Sequence, residues 1–182
     1  LNAIVFACDE HAHGVHILFD NKVILGTRAR KTHTKSFNAF KSIDFPEIAI
    51  VRDRRVRYYI EEKVSEDGPD FYTSLDPKVF VLRLVPGMNP DIFSFLKEHY
   101  DGLVIESFGV GGIPCYDNES FVDAVADWIA CGKALVMTTQ VPHEGSDMSV
   151  YMVGQVIKKK YRLIEAYDMT TEAIVAKLMW IL

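Results

Sequence analysis

The glycine-rich segment Gly109 to Gly112 is the first stretch whose residue types could do chemistry, because glycines let backbone amides approach a ligand closely. A dinucleotide-binding fingerprint would need a glycine where Pro114 stands. The pair Gly132-Lys133 lacks the following serine or threonine of a Walker loop. The spacing therefore favours a tight turn that shapes a small-molecule or subunit contact over a nucleotide-binding loop.

Two polar clusters in the N-terminal half could bind other ligands. Acids and histidines crowd into residues 9–16, but strand parity does not bring the three histidines to one face, so a solvated loop is favoured over a metal site. Four arginines and two tyrosines in residues 52–59 could contact phosphates and stack on bases. A solvated strand face explains them equally well, because acidic residues surround them: Asp44, Glu47, Asp53, Glu61 and Glu62.

Candidate nucleophiles are few. Ser107 follows an apolar strand but lacks the flanking glycines of a GxSxG elbow. Cys115 precedes a helical segment, yet no pattern identifies a base for it. The residues alone therefore indicate only a domain that binds a ligand.

Strands and helices alternate from about residue 78 to the end, which predicts an α/β fold with a parallel sheet flanked by helices. The strands are 79–85, 102–107 and 134–140, and the helices are 91–100, 117–131, 150–160 and a final one. Asp168 or Thr170 is expected to cap that final helix, with Ile174, Leu178 and Ile181 on its apolar face. Ligands of such sheets bind beyond the carboxyl ends of the strands. The loops at those ends are 86–90, 107–114, 138–147 and 168–172.

The preceding half reads as a helix at residues 1–7, a hairpin around Asp20-Asn21, and a second pair of short strands within 48–60. Residues 27–46 are polar with scattered aromatics and are predicted to form a loop. Residues 62–78 contain Gly68-Pro69 and many acids, which is typical of a linker.

Composition limits the class of protein. The 182 residues are 49% hydrophobic, which suffices for a buried core, and 20 basic against 25 acidic residues give a net charge of −5. That charge gives no reason to expect nucleic acid or a membrane as a partner. No membrane span or signal peptide is evident, and three irregularly spaced cysteines fit a reducing cytoplasm. Both ends fall inside helical patterns, so we expect a piece of a larger enzyme.

A family resemblance rests on four segments of the C-terminal half. They are GLVIESFGVGGIP (102–114), ALVMTTQ (134–140), EGSDMSVYMVG (144–154) and DMTTEAIVAKLMW (168–180). In order and spacing they resemble the C-terminal part of type I, cytoplasmic L-asparaginases. The resemblance extends upstream through residues 82–93 and 19–42, and so covers nearly the whole chain.

The resemblance implies a domain division and one catalytic residue. Residues 1–65 would be the end of the large N-terminal domain (helix, hairpin and loop), 66–78 a linker, and 79–182 the smaller C-terminal α/β domain. Lys31 matches the family's catalytic lysine, which takes the proton of a threonine nucleophile. A lysine does this only when burial or a neighbour lowers its pKa. The TGGT and HGTD motifs that carry the threonine and its aspartate do not occur in this chain, so we expect it to be inactive alone.

The resemblance also implies substrate-binding loops at 107–114 and 140–151, which complete the active site of a neighbouring subunit in a homodimer or dimer of dimers. Ser107, Gly109 and Gly112 are the expected positions in the first loop, although relatives often have asparagine in place of Gly112. Glu144 and Asp147, with Tyr151 behind them, are the candidates to bind the ammonium group of asparagine; ordinary loop capping is the alternative for both acids. No metal or other cofactor is expected.

Two other functions remain open at this level. One is a ligand-binding or regulatory α/β domain, which would bind asparagine without an N-terminal half. The other is the asparaginase-like subunit of a glutamyl-tRNA amidotransferase, for which the net negative charge offers no RNA-binding surface.

Overall fold

The computed structural model describes residues 1–61, 68, 70–114, 120–150, 155, 158, 161 and 163–182. The chain forms two compact units, Leu1–Tyr72 and Thr73–Leu182.

The N-terminal unit is built from short antiparallel strands and one helix. Its elements are α1 (Asn2–Ala7), β1 (His16–Phe19), β2 (Lys22–Leu25), β3 (Ala29–Lys31), β4 (Phe40–Ser42), β5 (Ala49–Arg52) and β6 (Arg55–Tyr58). Four strands form one sheet in the order β1-β2-β5-β6, and β3 pairs with β4 separately. Phe6 of α1 is buried with the inward-facing residues of this sheet, among them Val23, Ala49 and Val51.

Two-residue turns join the strands of both hairpins. Asp20 and Asn21, between β1 and β2, have φ of 48° and 64°, and Asp53 and Arg54, between β5 and β6, have φ of 49° and 59°. Positive φ at both central residues defines the turn whose twist suits a two-residue hairpin, and Asp and Asn tolerate it best. Both predicted strand pairs are confirmed.

The prediction of a loop over residues 27–46 was wrong in part. The segment begins in a 3₁₀ turn at Gly26–Arg28 and then contains β3 and β4, paired with Lys31 opposite Phe40. Buried Ala29, Ala39 and Ile43 anchor this small sheet. Three-residue strands in a polar stretch carry too little alternation for a periodicity argument to detect.

The C-terminal unit is the predicted parallel sheet flanked by helices. Its elements are β7 (Val79–Arg83), α2 (Ile92–His99), β8 (Gly102–Ser107), α3 (Ser120–Ala130), β9 (Ala134–Thr139), β10 (Ile164–Glu165) and α4 (Thr171–Ile181). The strand order is β10-β9-β8-β7, and all three pairings are parallel. Strand β10 is an addition to the predicted elements, since two residues are too few to show a pattern.

Successive side chains of β8 pack into two different hydrophobic clusters, one on each face of the sheet. Leu103 and Ile105 pack with Phe93, Phe121 and Trp128 of α2 and α3. Val104, between them, packs with Ile174 and Leu178 of α4. The sheet is therefore covered on both faces, which explains why its strands are apolar throughout.

The ends of the helices refine the predictions. Thr170 caps α4, because its hydroxyl accepts a hydrogen bond of 3.3 Å from the amide of Ala173. Ile181 was expected on the buried face of α4, but it is 60% exposed at the last helical position. The predicted helix 150–160 lies almost wholly outside the described residues, as do the first residues of the one predicted at 117–131. Within the described part of the chain, every helix is too short or too polar to cross a membrane.

Candidate active-site loops

The carboxyl ends of β8 and β9 lie side by side, with Ser107 opposite Thr139 in the strand register. The loops that follow, residues 108–114 and 140–150, therefore start next to each other. Ser107 is 1% exposed, and its hydroxyl donates a 2.6 Å hydrogen bond to the carbonyl of Thr138. This predicted site residue thus holds the two strands together and is directed into the sheet.

Two residues at the end of β9 bind the neighbouring strands and loops through their side chains. The Thr139 hydroxyl donates to the carbonyl of Gly109 and accepts a 3.0 Å hydrogen bond from the amide of Val141. The side-chain amide of Gln140 donates to the carbonyl of Leu84 at 2.6 Å. These contacts fix the start of both loops and tie them to the end of β7.

The glycine-rich segment folds into a closed turn. The amide of Phe108 donates to the carbonyl of Gly112 at 2.8 Å, and the amide of Gly112 donates back to Phe108 at 2.7 Å. A Cβ atom on Gly112 would lie 3.2 Å from the Phe108 carbonyl oxygen. Gly112 therefore keeps the turn tight, and the position offers a backbone but no side chain to a ligand.

The second loop crosses this turn and is bonded to it. The amide of Asp147 donates to the carbonyl of Val110 at 2.6 Å. Met148, which is fully buried, packs so closely that a Cβ atom on Gly111 would lie 3.1 Å from its side chain. The two loops predicted to bind substrate are thus one connected structure.

The buried carboxylate of Glu165 holds the second loop near the point where it crosses the glycine turn. Glu165 accepts a 2.6 Å hydrogen bond from the amide of Met148 and another of 2.6 Å from the Lys158 ammonium. The Glu165 side chain is 1% exposed, so both acceptor oxygens are used inside the protein. The bond that Lys158 donates to Glu165 is also the main reason why the pKa of Lys158 is raised above its ordinary value.

Of the two acidic candidates, Asp147 has the better-defined surroundings. Its carboxylate is exposed and accepts hydrogen bonds from the hydroxyl and the amide of Ser149. These bonds, that of the hydroxyl first, lower the pKa of Asp147 and keep it charged. Glu144 is also exposed, with a left-handed φ of 76°. Two of the sequence candidates, Tyr151 and Cys115, lie outside the described residues.

Lys31 belongs to the N-terminal unit and is exposed at the end of β3. Its ammonium lies 5.9 Å from the centre of the Phe40 ring, in cation–π geometry. The side chain borders an open cavity of about 230 Å³ formed with Phe19, Phe37 and the loop between β3 and β4. Within residues 1–72 the structure therefore gives Lys31 an aromatic neighbour but no enclosure.

The clustered histidines and acids of residues 9–16 have structural contacts. Asp9 accepts hydrogen bonds from the Tyr58 hydroxyl and from the amide of His11, both at 3.0 Å. In the part of the chain that the structure describes, no three His, Cys, Asp or Glu residues converge in a geometry suited to a metal.

Residues 78–182 match the profile of the glutaminase/asparaginase C-terminal domain, and residues 1–64 match that of the asparaginase N-terminal domain. The chain belongs to the glutaminase/asparaginase family. The resemblance inferred from the motifs is thereby confirmed.

Individual members of the family agree with this assignment. The chain is 38% identical over 169 residues to an L-asparaginase of Thermococcus kodakarensis, a match that covers 93% of this chain and 51% of the relative. A glutamyl-tRNA(Gln) amidotransferase subunit of Pyrococcus furiosus is 32% identical over 161 residues, covering 86% of this chain and 36% of the relative. The chain thus spans about half the length of the L-asparaginase that it matches.

Solved structures of glutaminase/asparaginase family members share the fold. The thermostable L-asparaginase from Thermococcus kodakarensis superposes with a TM-score of 0.90 at 37% identity, over 98% of this chain and 53% of that one. A probable cytoplasmic L-asparaginase from Campylobacter jejuni gives 0.80 at 22% identity, over 99% of this chain and 54% of that one, which shows the fold alone.

Three residues that hold the loops after β8 and β9 in place were not identified from the sequence: Thr139, Gln140 and Glu165. A signal for the first two was present, because polar residues at the end of the buried run of β9 have few ways to satisfy their hydrogen bonds. Glu165 gave no such signal, since its partners, Lys158 and Met148, lie 7 and 17 residues before it and no spacing pattern links them to it.

Proposed function

We propose that this chain is part of an L-asparaginase, which hydrolyses L-asparagine to L-aspartate and ammonia. The 38% identity over 93% of the chain to an L-asparaginase is the observation that carries the proposal. The two connected loops at the carboxyl ends of β8 and β9 support it, because they occupy the usual ligand-binding edge of a parallel sheet.

In this proposal Lys31 is the general base. Its neutral amine accepts the proton of a threonine hydroxyl, and the threonine oxygen attacks the side-chain amide carbon of asparagine. Ammonia leaves after taking up a proton, and an aspartyl ester of the threonine remains. Water then hydrolyses that ester, which releases aspartate and restores the hydroxyl.

The nucleophilic threonine lies outside residues 1–182, in the portion of the relatives that this chain does not span. That portion would also enclose Lys31, whose side chain is exposed here. A lysine needs such desolvation to act as a base at neutral pH. We accordingly expect the isolated chain to be inactive.

The C-terminal loops bind the substrate in this proposal. The exposed Asp147 carboxylate pairs with the α-ammonium group of asparagine, and the exposed Glu144 lies on the same loop. Tyr151 is a further candidate from its position in the sequence. The glycine turn contributes backbone groups from Gly109 to Gly112. These loops would complete the site of a neighbouring subunit, so the assembly is a homodimer or a dimer of dimers, in the cytoplasm.

The test combines this chain with the segment of the Thermococcus kodakarensis L-asparaginase that the match leaves out, and measures ammonia release. Lys31→Ala is expected to lower kcat by about 10²- to 10⁴-fold, the usual contribution of a general base. Lys41→Ala is the matched control, because Lys41 is an exposed lysine on the paired strand β4. Equal activity of the Lys31 and Lys41 variants would remove Lys31 from the mechanism.

A second candidate is the amidotransferase subunit, favoured by the 32% identity to the Pyrococcus furiosus relative. The same assembly distinguishes the two. Ammonia release from free asparagine without tRNA supports the L-asparaginase, whereas activity on glutamine that requires tRNA supports the amidotransferase.

A further inference from the structure

The outer face of the β5–β6 hairpin carries a concentration of positive charge that the proposed reaction does not use. Ala49 and Val51 of β5 are buried, so the alternation of the strand turns Ile50 and Arg52 to the opposite, outer face. The register places Arg57 opposite Ile50 and Arg55 opposite Arg52. Three guanidinium groups therefore share one face.

These arginines lie close enough to repel one another. Residues directly opposite each other on two strands have their Cβ atoms about 5 Å apart, and like charges there are destabilising. Among the described residues, no carboxylate oxygen lies within 4.0 Å of the guanidinium nitrogens of Arg52, Arg55 or Arg57. Glu47, which the sequence suggested as a balancing charge, pairs with Lys22 at 2.9 Å instead.

The face is concave and ends in an aromatic ring. A cavity of about 690 Å³ is lined by the three arginines together with Ile50, Asp53, Val56 and Tyr59. Tyr59 is 58% exposed and follows Arg57 with the same outward parity. The volume falls within the roughly 300–1,000 Å³ typical of small-molecule sites.

We propose that this face, defined by Arg52, Arg55, Arg57 and Tyr59, binds a nucleoside triphosphate. The guanidinium groups would bind the phosphates through charge-assisted hydrogen bonds, and the base would stack on Tyr59. Binding would also relieve the repulsion between Arg52 and Arg55. Asp53 at the rim disfavours anions, so the three arginines must outweigh one carboxylate.

A small ligand suits this face better than a nucleic acid. The three arginines that share this face lie on one short hairpin, which gives a long polyanion few phosphate contacts, and the net charge of the whole chain is −5. The site is independent of the proposed asparaginase activity, and the chain needs no catalytic partner for the test.

Titration calorimetry of the 182-residue chain with ATP tests the proposal. Saturable binding is expected, weakening as salt is added. Arg52→Gln and Arg55→Gln should each weaken ATP binding about tenfold, the effect of losing one charge-assisted hydrogen bond. Tyr59→Leu should weaken ATP but leave inorganic tripolyphosphate unchanged, because tripolyphosphate has no base to stack.

Arg54→Asn is the matched control. It removes the same charge from the same hairpin, Arg54 does not line the cavity, and asparagine tolerates the left-handed φ of 59°. ATP affinity should change less than about twofold. An equal loss in this variant, the absence of saturable ATP binding at millimolar concentration, or tighter binding of a single-stranded RNA that ATP does not displace would each overturn the proposal.

Discussion

Contacts within this chain fix the positions of the loops after β8 and β9. The surroundings of Lys31 are different, because the chain leaves this side chain exposed. In the C-terminal unit, the side chains of Thr139, Gln140 and Glu165 fix the loop positions through hydrogen bonds to distant segments. In the N-terminal unit, Lys31 ends a three-residue strand, lies 5.9 Å from the centre of the Phe40 ring and borders an open cavity.

This difference matters because substrate binding and general-base catalysis, the roles proposed for the two regions, have different structural requirements. Loops that are held by contacts within their own unit can present a carboxylate such as Asp147 without further assistance. A general base, in contrast, needs exclusion of water, and the surroundings of Lys31 within this chain do not provide it. The loops proposed to bind substrate are thus preorganised, and the lysine proposed as general base depends on additional protein.

The largest expected effect comes from breaking the preorganised loop at Gly145. This residue has φ of 69°, and a Cβ atom there would lie 2.7 Å from the carbonyl oxygen of Tyr167. Gly145→Ala should lower the free energy of unfolding by about 3 kcal/mol, because the cost of a left-handed φ for alanine adds to the cost of the clash with the Tyr167 backbone. Urea denaturation measures it.

Gly132→Ala is the control for that change. Gly132 has a similar φ of 76°, but a Cβ atom there would meet nothing within 4 Å. Gly132→Ala should lower the free energy of unfolding by about 1 kcal/mol, because only the cost of the left-handed φ applies. Equal losses in the two variants would mean that the contact with Tyr167 does not hold the loop.

A smaller effect is expected from removing one buried hydroxyl. Thr139→Val loses the bond donated to Gly109 and the bond accepted from Val141, so the free energy of unfolding should fall by about 2 kcal/mol. Thr34→Val, an exposed change in the loop beside Lys31, should have almost no effect. Similar losses of unfolding free energy in both variants would contradict the proposed difference between the two regions.

The smallest effect concerns the charge of Asp147. Hydrogen bonds from Ser149 hold the pKa of Asp147 below its ordinary value of 3.8. Since the folded pKa is the lower one, these bonds stabilise the protein above pH 3.8, and the stabilisation disappears as pH falls through the folded pKa. Ser149→Ala should move the pKa of Asp147 up toward 3.8, measured by carboxyl-carbon NMR.

Ser36→Ala, an exposed serine of the N-terminal unit, is the control for this titration. It should leave the pKa of Asp147 in place. An identical titration of Asp147 in the Ser149 variant and the wild type would show that the bond from the Ser149 hydroxyl does not form in solution.

Local chemistry explains what the sequence could predict. The pair Asp20-Asn21 identified a hairpin because few residues tolerate its turn. Asp168 and Thr170 marked a helix start because the side chain of either can cap a helix, and Thr170 proved to be the cap. The alternation of buried strands with amphipathic helices predicted the parallel sheet.

Long-range contacts explain what the sequence could not predict. The inward direction of Ser107 depends on a carbonyl 31 residues away, and the role of Glu165 depends on a loop 17 residues before it. No periodicity encodes either contact. Lys31 was singled out only through a family resemblance, because nothing in its neighbouring residues distinguishes it from a surface lysine.

Amide hydrogen exchange on the 182-residue chain tests the contrast between the two regions most directly. The amides of Gly112, Asp147 and Met148 are each hydrogen-bonded in the loops, and that of Thr32 is bonded beside the small β3–β4 sheet. We expect the three loop amides to exchange about as slowly as those of β8 and roughly 100-fold more slowly than that of Thr32. Exchange of the loop amides as fast as that of Thr32 would contradict it.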